Sequence, residues 1–284
     1  MNDLKENNII VTGATGGIGN SIIKKLYDAG ANILATGTKD EKLQELKKKF
    51  QNIQTLKFDI SQIDNLENFI EDATKQLGGK LDCIVNNAGI LRDRIFHKMS
   101  EEEFDAVVAV HLKGCFNVSR AAAETFRNQS GGAFVHMTST SGLVGNFGQV
   151  NYGAAKLGIA GLSKCIALDM SRYRVRSNCI SPFAWSRLIG TIPTNTPEEK
   201  ARVEKIQQMT PEKIAPLAVY LCSDQAQDVS GQIFGVRFNE IFLFSQPRPV
   251  RSVQRTEGWT PETIAEHAMP AMQPSFFELE RSGD

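Results

Sequence analysis

Short apolar runs alternate along the chain with longer segments in which apolar residues recur every three or four positions. The short runs are typical of buried strands, and the recurring spacing is typical of amphipathic helices. Strands that alternate with helices form a parallel sheet covered by helices, so the pattern predicts an α/β fold. Seven strands are predicted, at residues 8–12, 31–36, 53–58, 81–86, 133–137, 175–180 and 231–236.

Two serines mark helix starts between these strands. Ser61 is an expected N-cap, and Ser100 is expected to form a capping box with Glu103. The helix that begins at Ser100 should break near Leu112. The predicted helices cover 18–28, 40–50, 61–77, 100–128, 151–173 and 211–223, and residues 183–210 are predicted to be irregular.

Residues 241–284 are predicted to be an extension of a domain that covers residues 1–240. An apolar run is followed by prolines, and Thr260 should cap a short helix. The extension contains three large aromatic side chains, Trp259, Phe276 and Phe277. This set is too apolar for a solvated linker, so we expect the extension to pack on its own subunit or on a neighbouring one.

Three residues near the fifth predicted strand have the chemistry of a proton-transfer site. Tyr152 and Lys156 are four residues apart, so they share one face of a helix. A neighbouring cation favours the phenolate and should lower the pKa of Tyr152 from about 10, which would make it a general acid–base near neutral pH. Ser139 could donate a hydrogen bond to a carbonyl oxygen. On its own, Tyr-x-x-x-Lys is most often found on a helix surface without a function.

A glycine-rich turn follows the first predicted strand. Gly13, Gly17 and Gly19 have the spacing G-x-x-x-G-x-G, and an amphipathic helix follows them. A strand, a glycine turn and a helix start form a dinucleotide-binding arrangement, because small residues admit the pyrophosphate and the helix N-terminus favours its charge. A glycine loop alone is weak evidence, since a plain turn can have the same sequence.

Composition narrows the choice of partner and compartment. The 32 basic and 32 acidic residues balance, which argues against nucleic acid and anionic membranes as partners. The chain starts without a signal pattern and has no apolar run as long as a membrane helix. The five cysteines show no C-x-x-C spacing, so we expect reduced, mostly buried thiols, no metal site and a cytoplasmic protein.

Four motifs together resemble the short-chain dehydrogenase/reductase family over residues 5–238. They are TGATGGIG at 12–19, NNAG at 86–89, Ser139, and YGAAK at 152–156, in the order and spacing of the family. The N-terminal part resembles 3-oxoacyl-acyl-carrier-protein reductases. The C-terminal part resembles the dehydrogenase unit of peroxisomal multifunctional β-oxidation enzymes, in ILRDRIF at 90–96, VHLKGCF at 110–116 and GNFGQVNY at 145–152. The resemblance implies a doubly wound, seven-stranded parallel Rossmann sheet with helices on both faces and a C-terminal extension.

The resemblance also implies an NAD(P)(H)-dependent oxidoreductase that transfers hydride between a nicotinamide and a carbonyl or secondary alcohol. In that role Tyr152 transfers the proton, Lys156 lowers its pKa and binds the ribose, and Ser139 steadies the substrate oxygen. The implied cofactor-binding set is Gly13, Thr15, Gly17, Ile18, Gly19, Thr36, Thr38, Lys39, Asp59, Ile60, Asn86, Ala88, Gly89, Tyr152, Lys156 and Pro182. Asp59 would hold the adenine amine, although an aspartate at this position is also common in a turn.

Cofactor choice depends on the end of the second predicted strand. An acidic residue there would bind the ribose 2′-hydroxyl and repel a 2′-phosphate. This chain has Thr36, Thr38 and Lys39 instead, which favours NADP(H). NAD(H) stays open as an alternative, because Gly16 stands where NADP(H)-dependent relatives often have an arginine.

His111 departs from the pattern of the family. Relatives commonly have an asparagine here, which holds a water that links the lysine to solvent. An imidazole can also pass a proton, so His111 is expected to complete this relay. The alternative is a histidine that is only packed within its helix.

Both branches that the chain resembles act on 3-oxoacyl or 3-hydroxyacyl thioesters, so a thioester is the expected substrate. Apolar residues near the catalytic set would suit an acyl chain, although about half of them could be core residues. They are Leu143, Val144, Phe147, Phe183, Trp185 and Ile189. Arg187 could meet a phosphate of the carrier group. A sugar, steroid or other small ketone stays open as the substrate, as does a catalytically silent relative that acts as a redox sensor or scaffold.

The resemblance further implies a homodimer or homotetramer. The helices at 103–128 and 151–173 are similar to the pair through which the family associates. Small residues on them, such as Ala122 and Gly158, would let the helices of two subunits approach closely.

Overall fold

A sheet of eight strands forms the centre of the protein. The computed structural model describes residues 4–62, 66–184 and 196–282. The strand order is β3-β2-β1-β4-β5-β6-β7-β8, and the first seven strands of the chain are parallel. The strands are β1 Asn8–Val11, β2 Asn32–Gly37, β3 Gln54–Lys57, β4 Cys83–Asn86, β5 Gly132–Met137, β6 Val175–Pro182, β7 Ile233–Arg237 and β8 Glu240–Leu243.

Helices connect the strands and cover both faces of the sheet. The α-helices are α1 Gly17–Asp28, α2 Asp40–Lys49, α3 Leu66–Gln76, α4 Glu101–Val108, α5 Gly114–Gln129, α6 Thr140–Leu143, α7 Val150–Asp169, α8 Pro197–Gln207, α9 Ala215–Cys222, α10 Pro261–Thr263 and α11 Met269–Met272. Short 3₁₀ helices lie at Phe96–Lys98, Ser171–Tyr173, Pro211–Lys213, Asp224–Ala226 and Gln273–Ser275, and π turns at Ala109–Lys113 and Ile264–Ala268. None of the helices within the described ranges could cross a membrane.

The strand order reverses beside β1. β2 and β3 lie on one side of β1, while β4 to β7 continue on the other side. The predicted doubly wound parallel sheet is therefore confirmed. In open sheets of this kind, ligands bind beyond the carboxyl ends of the strands at the point of reversal. A binding site is thus expected where β1 and β4 end.

The two faces of the sheet are buried against different helices, as β1 illustrates. Ile9 and Val11 pack in a cluster with α1 and α9, whereas Ile10 between them packs in a cluster with α3 and α5. All three side chains are fully buried. Burial of such a side chain stabilises the fold by about 1.5–3 kcal/mol relative to exposure. An unbroken apolar run therefore marks a strand that is covered on both faces.

The seven predicted strands are present, and the structure adds β8. This strand pairs antiparallel with β7, so the first residues of the predicted extension belong to the sheet. The predicted boundary at residue 240 coincides with the first residue of β8. Phe238 in the connecting turn has a φ of 54°. The expectation of seven strands is therefore corrected to eight.

Two of the predicted helical boundaries are also corrected. Within the described residues α3 covers Leu66–Gln76, and the Ser61 hydroxyl donates to Asp59 at 2.7 Å. The expected N-cap at Ser61 is therefore not found. α8 lies within residues 183–210, which were predicted to be irregular. Its sequence is polar and weakly periodic, so the hydrophobic pattern alone did not indicate a helix.

The helix after Ser100 begins and breaks where the sequence predicts. The Ser100 hydroxyl accepts the N–H of Glu103, and the Glu103 carboxylate accepts the N–H of Ser100. The predicted break near Leu112 is the π turn between α4 and α5. Such turns are rare and frequently lie at functional sites.

Small residues on α5 and α7 make contacts within the chain. Ala122 is fully buried in the core. A Cβ on Gly158 would lie 2.9 Å from a methyl carbon of Leu112. These two residues therefore let elements of one subunit approach each other, and the expected association of subunits through α5 and α7 stays a prediction.

The extension contacts the domain but exposes apolar side chains. Thr260 caps its helical segment, as predicted, by accepting the N–H of Thr263 at 3.3 Å. The N–H of Ser282 donates to the carbonyl of Gly145, after α6, at 2.7 Å. Phe277 is 88% exposed. The end of the extension thus lies against the loop that follows α6.

Candidate active site

A cleft of about 1160 Å³ opens where the strand order reverses. Most of the predicted cofactor-binding residues line it: Gly13, Thr15, Gly17, Ile18, Gly19, Thr36, Thr38, Asp59, Ile60, Ala88 and Gly89. The lining also includes residues without a predicted cofactor role, among them Lys42, Phe58, Ile90, Val110 and Pro211. Segments that are far apart in the sequence therefore meet at the expected edge of the sheet.

The glycine turn fits the diphosphate of a dinucleotide. Gly13 has a φ of 61°, in the left-handed region that favours glycine. A Cβ on Gly13 would lie 2.6 Å from the Cα of Ala88, and a Cβ on Gly19 would overlap the carbonyl oxygen of Gly13. α1 begins at Gly17 without a side-chain cap at Gly16. Its first N–H groups are therefore available to an anion at the helix N-terminus.

Thr12 and Asn87 hold this turn against the segment that follows β4. The Thr12 hydroxyl accepts the backbone N–H groups of Asn87 at 3.0 Å and of Ala88 at 3.2 Å. The Asn87 side-chain amide donates to the carbonyl oxygens of Thr12 at 3.1 Å and of Gly13 at 3.0 Å. Thr12 has no predicted role of its own, whereas Asn87 belongs to the predicted cofactor-binding motif at 86–89. The available signal was a polar side chain at the carboxyl end of each of two neighbouring parallel strands.

The end of the cleft next to β2 contains a lysine that the sequence analysis missed. Thr36, Thr38 and Lys42 line this end. Lys39 directly precedes α2, is exposed and does not line the cleft. Because α2 begins at Asp40, Lys42 lies in its first turn. Among the described residues, Lys42 and not Lys39 supplies a cation to the lining of this end, and the contact of Lys39 with the cofactor stays a prediction.

Asp59 is held in a turn at the edge of the cleft. Its Oδ1 accepts the backbone N–H of Ser61 at 3.0 Å and the Ser61 hydroxyl at 2.7 Å. Asp59 also lines the cleft, beside Ile60. A turn was the predicted alternative to adenine binding by Asp59. The turn is present, and it also holds the Asp59 carboxylate at the cleft.

Asn86 faces the interior of the protein. Its side-chain amide donates to the Ser119 hydroxyl at 3.1 Å and lies 3.2 Å from Nδ1 of His136. Side chains alternate along a strand, so Asn86 at the end of β4 points away from the side that Asn87 occupies. The contact between Asn86 and the cofactor therefore stays a prediction, while Asn87 lines the cleft.

Ser139, Tyr152 and Lys156 lie together beyond the carboxyl end of β5. Ser139 caps α6 by accepting the N–H of Ser141 at 3.1 Å. The Ser139 side chain lies close enough to the Tyr152 hydroxyl to lower the pKa of that phenol. The Lys156 ammonium lies over the Tyr152 ring, 5.5 Å from its centre, and donates to the carbonyl of Met137 at 2.5 Å. The strand, the short helix and α7 thus bring the three side chains together.

The pKa of Tyr152 is raised, which differs from the expectation. Burial raises the pKa above 10, the Ser139 side chain partly opposes this, and the carboxylate of Asp93 adds to the increase. Lys156 lies over the ring and binds Met137, so its charge is not directed at the phenol oxygen. Burial also lowers the pKa of Lys156 to about 8. The position of Lys156 four residues after Tyr152 was therefore not sufficient to predict whether the pKa of Tyr152 is raised or lowered.

His111 lies in the π turn and contacts Tyr152 edge to face, with 5.1 Å between ring centres. Its Nε2 lies 2.7 Å from the carbonyl oxygen of Ile90, to which it donates in the tautomer protonated on Nε2, and 3.0 Å from the backbone nitrogen of Ile90, whose N–H it accepts in the other tautomer. A Cβ on Gly89 would overlap the imidazole, so this glycine makes room for the ring. Burial lowers the pKa of His111 to about 3, and the ring is therefore neutral. Its Nδ1 is buried and has no hydrogen-bond partner within the described ranges.

Gln149 joins two loops beside Tyr152. Its side-chain amide donates to the Asp93 carboxylate at 2.8 Å. Its side-chain carbonyl accepts the Ser141 hydroxyl at 2.8 Å and the Asn146 amide at 2.9 Å. This network holds Asp93 where its charge acts on Tyr152.

The expected apolar wall is only partly assembled by the described residues. Val144 and Phe147 are exposed beside α6, whereas Leu143 packs against an interior cluster. Phe183 contacts Phe242 of β8, with 6.1 Å between ring centres. Pro182 ends β6. Three further residues of the expected substrate site, Trp185, Arg187 and Ile189, lie outside the described residues.

Comparison with known proteins agrees with the cleft and the catalytic set. Residues 7–186 match the family described as short chain dehydrogenase. The chain belongs to the short-chain dehydrogenase family. This dehydrogenase is therefore an oxidoreductase of a family that binds an NAD(P)(H) cofactor.

The short-chain dehydrogenase has relatives in both branches that its sequence resembles. A putative short-chain type dehydrogenase/reductase of Mycobacterium tuberculosis is 39% identical over 80% of this chain and 81% of its own length. The 3-oxoacyl-[acyl-carrier-protein] reductase of Thermotoga maritima is 32% identical over 80% of this chain and 94% of its own length. The peroxisomal hydratase-dehydrogenase-epimerase of Saccharomyces cerevisiae is 36% identical over 93% of this chain.

The extent of these matches differs between relatives. This dehydrogenase spans only 29% of the length of the Saccharomyces protein, whose other activities lie beyond the comparison. That match nevertheless runs through nearly the whole of this chain, including both parts of the sequence. The crystal structure of a short chain dehydrogenase from Mycobacterium avium covers 99% of this chain with a TM-score of 0.85 at 30% identity. The likeness in fold therefore includes the extension.

Proposed function

We propose that this dehydrogenase transfers hydride between NADP(H) and the 3-position of a 3-oxoacyl or 3-hydroxyacyl thioester. The observation that carries the proposal is the grouping of Ser139 and Tyr152 with buried Lys156, whose ammonium lies over the Tyr152 ring. When bound, the nicotinamide supplies or accepts the hydride. The side chains of this chain then have to bind the substrate oxygen and to move one proton.

Tyr152 holds the proton that is transferred at the substrate oxygen. Because its pKa is raised, the phenol stays protonated at neutral pH and can donate during reduction of a ketone. Ser139 supplies a second hydrogen bond to the same oxygen and stabilises the negative charge that develops there. Oxidation of the alcohol needs the phenolate, so this direction requires a higher pH than reduction does.

Lys156 and His111 return a proton to Tyr152. The pKa of Lys156, about 8, leaves most of its ammonium charged at pH 7 but makes proton loss easier than in water. His111 stays neutral, and the carbonyl of Ile90 orients its ring. The unpartnered Nδ1 then accepts a hydrogen bond from a water that connects Lys156 to solvent. In this role the imidazole orients the water and does not carry the charge.

NADP(H) is proposed from the side chains at the β2 end of the cleft. Thr38 offers a hydroxyl and Lys42 a cation, and a 2′-phosphate can use both. The carboxylate of Asp40, which could repel that phosphate, is paired with Lys57 at 2.9 Å. The pair reduces the net negative charge next to the cleft. These groups support NADP(H) over NAD(H).

The thioester class is proposed from the relatives and from the surface beside the catalytic set. The Thermotoga relative is a 3-oxoacyl-[acyl-carrier-protein] reductase, and the Saccharomyces relative includes a dehydrogenase among its three named activities. Val144 and Phe147 add exposed apolar surface beside α6, which suits an acyl chain.

Acetoacetyl-CoA with NADPH tests the proposal. We expect NADPH oxidation that depends on the substrate and is lost in Tyr152→Phe. A sugar ketone and a steroid ketone serve as comparison substrates, and NADH as the comparison cofactor. If acetoacetyl-CoA is inert with both cofactors while another ketone is reduced, the thioester class is wrong and only the reductase chemistry remains.

We also propose that the protein is a homodimer or homotetramer that associates through α5 and α7. Phe116 on α5 and Leu168 on α7 are 48% and 76% exposed, which is unusual for large apolar side chains unless they meet a partner. Light scattering at micromolar concentration should give a multiple of the chain mass of 31.3 kDa. The mass of one chain would contradict the proposal.

A further inference from the structure

Two buried cysteines from distant parts of the chain are in contact. The sulfur of Cys83 in β4 lies 3.2 Å from the sulfur of Cys222 at the end of α9. The residues are 139 positions apart in the sequence. A disulfide has a sulfur–sulfur distance of about 2.05 Å, so a bond needs an approach of only about 1.2 Å. Both residues are free thiols in this structure.

A second cavity gives a small reagent access to this pair. It has a volume of about 610 Å³ and lies at the amino ends of β5 and β6, on the edge of the sheet opposite to the cofactor cleft. Cys222 lines the cavity, whereas Cys83 lies directly behind it and is fully buried. The pair is therefore separate from Ser139 and Tyr152.

A guanidinium lies beside the two thiols. One Arg176 nitrogen, Nη2, donates to the carbonyls of Leu221 at 3.0 Å and Ser223 at 3.2 Å, on either side of Cys222. Its other terminal nitrogen, Nη1, is buried and has no partner among the described residues. The charge of Arg176 favours the thiolate of Cys83, although burial raises the pKa of that thiol overall. Cys222 borders a cavity large enough for a small oxidant, and the charge of Arg176 acts on its partner Cys83.

We propose that Cys83 and Cys222 are a redox-active pair that forms an intramolecular disulfide with hydrogen peroxide. The Cys222 sulfur attacks one peroxide oxygen, the O–O bond breaks, and water leaves, so that Cys222 becomes a sulfenic acid. The Cys83 sulfur then attacks the Cys222 sulfur, the S–O bond breaks, and the departing oxygen takes the Cys83 proton as a second water. The two thiols are oxidised by two electrons, and the peroxide is reduced to two waters.

The disulfide would connect the central strand β4 to α9. α9 follows the 3₁₀ helix Pro211–Lys213, and Pro211 lines the cofactor cleft near Gly17. The bond would close a loop that includes β5, β6 and α7. Closing so long a loop restricts the unfolded chain, so the oxidised protein should unfold at a higher temperature than the reduced one.

Peptide mapping of the native protein tests the proposal. The folded wild type is treated with hydrogen peroxide, its remaining thiols are alkylated under denaturing conditions, and the digest is examined by mass spectrometry. We expect a peptide pair joined through Cys83 and Cys222 that dithiothreitol separates. Cys115 and Cys179, which are also buried, should stay fully alkylated and act as internal controls.

Variants separate this pair from the exposed thiol. Cys165→Ser removes the exposed cysteine and should leave the disulfide unchanged, whereas Cys222→Ser should abolish it. The wild-type map is decisive even if Cys222→Ser does not fold. Full alkylation of Cys83 and Cys222 after treatment, with oxidation confined to Cys165, would overturn the proposal. Equal oxidation of all the buried cysteines would also overturn it, because it would reflect unfolding.

Discussion

Replacing Thr12 with valine should loosen the glycine turn without changing its shape. Valine keeps the volume but removes the hydroxyl that accepts the N–H groups of Asn87 and Ala88. A buried donor without a partner costs about 1–3 kcal/mol. Both groups are only partly buried, so we expect about 1–2 kcal/mol for each and about 2–4 kcal/mol in all. This is a large part of the roughly 5–15 kcal/mol by which domains are stable.

Thr12→Ser is the matched control, because it keeps the acceptor and loses one methyl group, at a cost of about 1 kcal/mol. Urea unfolding at a fixed protein concentration measures the free energies, and quenching of protein fluorescence by NADPH measures cofactor affinity. Thr12→Val should lose about 2–4 kcal/mol and bind NADPH more weakly. Equal losses in both variants, or a valine variant within about 0.5 kcal/mol of wild type, would refute the reasoning.

Four further predictions concern the catalytic set and the cofactor cleft. Tyr152→Phe should lower turnover by about 10²–10⁴-fold with little change in cofactor affinity, and more than about a tenth of wild-type turnover would exclude it as the acid. Asp93→Asn should move the high-pH decline of the reduction rate to lower pH, because the Asp93 carboxylate raises the pKa of Tyr152; an unchanged pH–rate profile would contradict this coupling. His111→Leu should slow turnover and change the pH–rate profile while His111→Asn restores much of the activity, and full activity in both would mean that the ring is only packed. Lys42→Glu should reduce kcat/KM with NADPH more than kcat/KM with NADH, whereas Lys39→Glu should change the ratio of the two values little. A wild type that prefers NADH would be incompatible with the proposed cofactor.

Most strands of the parallel part of the sheet could be predicted because they are buried on both faces, whereas the edge strand β3 is only half-buried. The run Asn8–Val11 is fully buried, and so is Cys83–Asn86. β8 could not be recognised in the same way, since it lies at the edge of the sheet and exposes Ile241 and Leu243. Its apolar residues resemble those of the extension that follows, and only pairing with β7 distinguishes the two.

In the cofactor cleft, too, some residues could be predicted from the sequence and others could not. Glycines of the turn could be predicted because only glycine allows so close an approach of backbone segments. The choice between Asn86 and Asn87 depends on which residue ends β4, and the choice between Lys39 and Lys42 depends on where α2 begins. A sequence pattern leaves such boundaries uncertain by a residue or more.

The catalytic residues Ser139, Tyr152 and Lys156 show a different limit of prediction from the sequence. The spacing of Tyr152 and Lys156 predicts that they are neighbours, and they are. The pKa of Tyr152 depends instead on burial and on Asp93, which is 59 positions earlier in the sequence. Long-range contacts of this kind are determined by the packing of whole elements and leave no local pattern.

The π turn at Ala109–Lys113 also determines where the chain can vary in length. A π turn holds one residue more than an α-turn between the same ends, so losing one residue there would leave a regular helix that joins α4 to α5. Losing a residue within α5 would instead rotate the residues before the deletion by about 100° relative to those after it. Gly114 would then leave the contact with Ile60, where no Cβ fits. In alignments with relatives, a gap of one residue in this region therefore belongs inside the π turn.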